Sequence, residues 1–169
     1  MVFETPALEE TARALLIERG VTVKDIAELV FFLQKDYIDE LTMGVCIHSV
    51  DRVLTKREVH NAIITGIQLD KLAEKKLLDS PLQEILEEDE GLYGVDEIMA
   101  LSIVNVYGSI GFTNYGYIDK VKPGILAKLN SHDGKSVHTF LDDLVGAIAA
   151  SAASRLAHED PEKLDDLMN

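Results

Sequence analysis

Only one cysteine, Cys46, stands in the 169-residue chain, which excludes an internal disulfide and fits a reducing compartment. Its neighbours are Gly44, Val45 and Ile47, a setting that favours a small core residue over a nucleophile. Positive charge is scarce too. The chain sets 16 Lys and Arg against 30 Asp and Glu, a net charge of −14. That balance argues against a nucleic-acid backbone or a bare anionic membrane as an electrostatic partner. No basic-then-apolar leader opens the chain. The longest apolar stretches, 98–106 and 144–153, fall short of the roughly twenty residues that cross a bilayer. A soluble, cytoplasmic protein with at most peripheral membrane contact is therefore expected. Covalent and zinc chemistry lack their motifs: there is no G-x-S-x-G, no H-E-x-x-H and no cysteine–histidine arrangement, and His48 and His60 lie far apart. Internal repeats, low-complexity linkers and strong β signals are missing as well.

What is present is helix. Thr5-Pro6 starts a first helix over 7–19 that Gly20 stops. Thr22 opens a second, with Ile26, Leu29, Val30 and Leu33 at helical spacing, and a third covers 42–53. Thr55-Lys56-Arg57-Glu58 reads as a capping box at the head of a long helix ending near Leu78. Ser80-Pro81-Leu82-Gln83 reads as another, before a short helix. Helices over 94–109, 114–129 and 136–158 follow, with a turn at His132-Asp133-Gly134-Lys135. The last is alanine-rich, which lets neighbours approach closely. The pattern predicts an all-α bundle of six to eight helices in one domain, 1–158, with a polar tail over 159–169. Because 98–106 is apolar almost all round, its helix is expected at the centre.

Against this apolar background Asp96-Glu97, Asp119 and Asp142-Asp143 stand out. Carboxylates in such segments are seldom buried unless paired or bound to a cation, and an all-oxygen donor set suits Mg²⁺. Acids in the first turn of a helix, as Asp96 and Glu97 are expected to be, are also favoured by the helix dipole alone. Asp142 and Asp143, predicted to lie a turn or more inside the last helix, have no such explanation. Asp96 and Asp143 are expected to face the site, with Glu97 and Asp142 as further ligand or base and Asp119 closing the cage. Lys122, three residues after Asp119, is placed to meet a phosphate. His138, about one turn before Asp142, is a candidate proton shuttle. Asp89 lies in the acidic run 84–90 and reads by itself as a solvated loop residue.

The acids fall into three ordered elements: D-x-G-x(4)-D-E at Asp89, Gly91, Asp96 and Glu97, D-x-x-K-P at Asp119, Lys122 and Pro123, and D-D followed by an apolar run at Asp142-Asp143. In this order they resemble the phosphatidylglycerophosphatase A family. The resemblance implies a helical bundle and a Mg²⁺-dependent phosphoric monoester hydrolase. Its substrate would be phosphatidylglycerophosphate, its product phosphatidylglycerol, and its site residues these motif positions. Three differences accompany it. Gly116 stands where members often have arginine, and Lys135-Ser136-Val137-His138 replaces a glycine-rich stretch. Gly146-Ala147 reverses the usual Ala-Gly order. Lys135 and His138 are then the basic residues left near the second half of the site, and Lys135, like Asp89, is expected to support it from just outside. Two other functions fit the same residues: a phosphohydrolase for a small phosphate ester or nucleotide, and a non-catalytic metal-binding regulator on the same scaffold. The alanine-rich and Thr22 helices also allow a homo-oligomer.

Overall fold

Helix signals in the sequence become nine α-helices among the described residues of the computed structural model, which are 4–131 and 134–159. They are α1 (Thr5–Glu18), α2 (Val23–Gln34), α3 (Met43–Val53), α4 (Arg57–Glu74), α5 (Leu82–Glu88), α6 (Val95–Val104), α7 (Gly108–Val121), α8 (Ile125–Leu129) and α9 (Leu141–Ala157). All but α5 and α8 run ten residues or more, and no strand occurs among the described residues. The all-α bundle is thus as expected. The turn at 132–133 and the tail beyond 159 lie outside the described residues.

Three local expectations change. Thr55 caps nothing on α4; its hydroxyl donates to the Arg52 carbonyl at the end of α3, and Lys56 is the N-cap. Gln83 turns away from a capping role at α5 to bridge loop and helix, accepting from the Leu78 N–H and donating to the Ala73 carbonyl. The helix expected over 114–129 is two, because Pro123 cannot continue α7 and Lys122 and Gly124 adopt left-handed φ of 49° and 56°.

A helix does occupy the centre, but it is α9 rather than α6. Fifteen of its residues are buried, and α2, α3, α4, α6, α7 and α8 all pack against it. Hydropathy favours α6, yet Ile98 on that helix is 65% exposed. What selects α9 is side-chain size. Its Ala, Gly and Ser residues let many neighbours close in at once, and Gly66 of α4 is the clearest contact. A Cβ there would come within 2.6 Å of Leu144 Cδ1 and 3.0 Å of Phe140 Cβ. Two hydrogen bonds tie α9 to its neighbours: Ser49 of α3 donates to the Ala152 carbonyl and Ser154 of α9 to the Tyr107 carbonyl, 2.9 and 2.8 Å respectively. Cys46 is fully buried, and burial pushes its thiol up to about 11, so it is a core residue.

One further correction concerns 95–121. By length and composition these 27 residues are apolar enough to cross a membrane. As folded they are interrupted by a 3₁₀ turn at Asn105–Tyr107 and by Gly108 at φ 74°, and both halves lie against α9.

Candidate active site

The N-terminus of α9 is fixed from α4. Asp70 and Glu74, four residues apart, share one face of that helix. Asp70 is fully buried and accepts hydrogen bonds from the Phe140 and Leu141 N–H groups at 3.0–3.3 Å. Two N–H groups orphaned at a helix start are thereby satisfied. Burial pushes the Asp70 carboxyl well up, and the Phe140 and Leu141 N–H groups, with the charge of Arg19, draw it partly back. Glu74 holds Arg19 in a bidentate pair and accepts from the Val137 N–H at 2.8 Å, while Arg19 donates to the Val137 carbonyl at 2.8 Å. Thr139 donates to the Leu86 carbonyl. The segment before α9 is therefore pinned to α4 and α5, and α9 starts only at Leu141. Asp142 and Asp143 sit in its first turn, not inside the helix as expected, so the helix dipole favours their charge.

Asp96 and Glu97 occupy the matching positions in the first turn of α6. Both helix starts, the end of α7 and the turn after α5 meet at one cleft of about 150 Å³. Its lining includes Asp89, Glu90, Gly91, Asp96, Glu97, Asp119, Lys122, Asn130, Asp142 and Asp143. Every sequence-derived motif position except Pro123 is among them. Lys135 and His138 are not. Lys135 lines a separate cleft with Glu74, Glu87 and Glu88. His138 donates from Nδ1 to the Leu129 carbonyl at 3.0 Å, in a small pocket that shares Asp89, Asn130 and Asp142 with the acidic cleft. Asn130, Asp70 and Glu74 were missed by motif reasoning. Asp70 did leave a signal: it takes a slot in the apolar stripe Ile63, Gly66, Ile67, Ala73.

Charge in the cleft is lopsided. Lys122, held in its left-handed turn, donates to Asp119 and to Asp142, both at 2.8 Å. Burial works against the lysine's charge, but Asp142 and Asp119 outweigh it and hold its pKa above the ordinary value. Asp143, 6% exposed, is pushed well above the carboxylate range by burial and then by Asp142, Asp96 and Asp119. Asp96 is raised for the same reasons, burial first and then Asp142 and Asp119. The Tyr115 hydroxyl is buried against Asp143 without a hydrogen bond of good geometry. Among the described residues no three Asp, Glu, His or Cys side chains are already drawn into a closed ligand shell. The donor chemistry nevertheless fits a hard divalent cation: the acidic donors are all oxygens, and they carry mutual repulsion that one lysine leaves uncompensated.

The sequence model of phosphatidylglycerophosphatase A matches residues 14–158. The chain belongs to that family. Phosphatidylglycerophosphatase A membership ties the fold to phosphatases of phospholipid metabolism. Among its relatives, YutG of Bacillus subtilis (strain 168) is 67% identical over 151 residues, 89% of this chain and 91% of that protein. YpjQ of the same organism is 53% identical over 163 residues, 93% of this chain and 91% of the relative. The crystal structure of the low temperature requirement C protein from Listeria monocytogenes superposes with a TM-score of 0.90 at 71% identity, covering 92% of this chain and 98% of that one. Crystalline YpjQ gives a TM-score of 0.89 at 50% identity over 98% of this chain and 99% of its own.

Proposed function

We propose that the protein is a Mg²⁺-dependent phosphatase that removes the terminal phosphate of phosphatidylglycerophosphate to give phosphatidylglycerol, in the cytoplasm, where Cys46 stays reduced. The observation that carries this is convergence. Three motif elements line a single cleft, and their acids arrive there on two helix starts, the end of α7 and the turn after α5. Asp96, Glu97, Asp119, Asp142 and Asp143 are the residues that would hold the ion, with Asp89 beside them. Bound there, Mg²⁺ supplies charge neutralisation and Lewis acidity toward a phosphoryl oxygen. Lys122, anchored by Asp119 and Asp142, donates to a second phosphate oxygen. Asp143 or Asp96 accepts a proton from the attacking water as its oxygen bonds to phosphorus and the bond from phosphorus to the glycerol oxygen breaks. The leaving alkoxide takes that proton from the carboxylate, and His138, in the adjoining pocket, is suited to relaying it.

The test is phosphate release from phosphatidylglycerophosphate in mixed micelles, with Mg²⁺, with chelator, and with Asp143→Asn. Metal-dependent release that falls about a hundredfold or more in the variant is the expected outcome. Mg²⁺ binding by calorimetry without any release would sink the lipid-phosphatase assignment and direct the search to small phosphate esters or a regulatory role.

A further inference from the structure

From Ile98 to Ile118 there is not one Asp, Glu, Lys or Arg, in a chain of which 27% is charged. A run of that kind is ordinarily a core element. Here only 22% of the most apolar window within 95–121 is buried. Seven of the ten large hydrophobic side chains exposed among the described residues lie between 92 and 121. Four of them flank the cleft directly in sequence: Leu92 follows Gly91, Val95 precedes Asp96, Ile98 follows Glu97 and Val121 precedes Lys122. Apolar side chains so concentrated on a strongly acidic protein mark an interaction surface.

We propose that the exposed face of α6 and α7, with Leu92, is a membrane-docking surface that seats the cleft mouth on a lipid bilayer. The proposal rests on the lipid-phosphatase assignment. A headgroup phosphate can reach the carboxylates only if its acyl chains stay in the bilayer beside the mouth, so the mouth must itself tolerate hydrocarbon. Leu92 and Ile98, 91% and 65% exposed, meet that requirement. Charge selects the kind of bilayer. The run offers no formal charge to the headgroups while the whole chain carries −14. Docking therefore proceeds by apolar insertion and is favoured on zwitterionic over anionic lipid. A second copy of the chain seated on the same face would cover the mouth instead of feeding it.

The experiment is flotation with phosphatidylcholine vesicles holding a small fraction of phosphatidylglycerophosphate, in Mg²⁺, comparing the wild type with Val106→Glu/Phe112→Glu. Both side chains are exposed, and neither lines the cleft. Thermal unfolding checks that the variant folds. The wild type is expected to float and the variant to stay in solution. Phosphate release from vesicles should fall about tenfold or more, while release from a short-chain, monomeric analogue is unchanged. A wild type that fails to float, a variant that still floats, or a wild-type dimer that the variant turns into a monomer would each overturn the docking surface. Flotation abolished by the variant with no hydrolysis of either substrate would uphold the surface and overturn the phosphatase assignment instead.

Discussion

Asp70 is a buried carboxylate in a stripe of α4 that otherwise takes apolar side chains. Burying such a group costs several kcal/mol unless hydrogen bonds replace its hydration. The Phe140 and Leu141 N–H groups do so, and in return the first turn of α9 gains a fixed start. Asp70→Ala should lower stability by about 2–3 kcal/mol, read from the urea midpoint, because both N–H groups lose their acceptor. Asp70→Asn, which keeps one acceptor oxygen, should lose less. Glu74 gives a pH dependence. Burial pushes its carboxyl up, but Arg19 and the Val137 N–H outweigh that and hold it below the ordinary glutamate range. A folded-state pKa lowered in this way contributes stability that is fully present above the unfolded value and is lost as pH falls through the folded one. The stability gap between the wild type and Glu74→Gln should accordingly be widest near neutrality and close toward about pH 3. A gap that widens on acidification would exclude this role for the Arg19–Glu74 pair.

At the scale of elements, the α4–α9 crossing depends on a missing side chain. Gly66→Val would drive methyl groups into Leu144 and Phe140, and overpacking of this sort costs about 1–3 kcal/mol. Chemical denaturation should show the loss. Gly116 in α7 is the opposite case. A Cβ there meets nothing within 4 Å, and the residue lies within the helix. Gly116→Ala should therefore stabilise by about 0.5–1 kcal/mol through backbone entropy and helix propensity, and a lower thermal midpoint would contradict that. The space beside Gly116 also means that the absence of an arginine here is a chemical difference, not a steric one. The break at Lys122-Pro123 matters in the same way: ending α7 swings the lysine into a left-handed turn from which it reaches Asp142 as well as Asp119.

For the whole molecule, the acidic cleft couples metal binding to folding. Asp96, Asp119, Asp142 and Asp143 repel one another in the folded state, and a cation that binds the native cleft but not the open chain stabilises by mass action. At about a hundred times its dissociation constant that amounts to about 2.7 kcal/mol. Thermal unfolding should shift upward with Mg²⁺ in the wild type and much less in Asp142→Asn/Asp143→Asn; an equal shift in both would place the ion elsewhere. The uncharged run from Ile98 to Ile118 belongs to this scale as well. Its hydropathy suggests the middle of a core. In three dimensions the middle is taken by smaller side chains, and the run is left half outside.

Helix content, the single-family motif order and the acids of the cleft were legible in the chain, because each is a local property: 3.6-residue periodicity, stop signals at Gly and Pro, and carboxylates set in apolar surroundings. Asp96, Glu97, Asp119, Lys122, Asp142 and Asp143 could be named without coordinates. Which helix becomes the centre could not, since hydropathy ranks α6 above α9, whereas packing rewards small residues that admit neighbours on every side. Nor could the start of α9, where Asp70 and Glu74 act from some seventy residues upstream, at separations of 70 and 63 residues from Phe140 and Val137. His138 and Lys135 lie close to Asp142 in sequence but do not line the acidic cleft: with Val137 clamped by Arg19 and Glu74, His138 enters an adjoining pocket that shares Asp142, and Lys135 lines a cleft with Glu74, Glu87 and Glu88. Local chemistry thus comes from sequence spacing. Convergence of the three elements, the repulsion it creates and the apolar rim around it depend on tertiary contacts, which alone decide what each side chain faces.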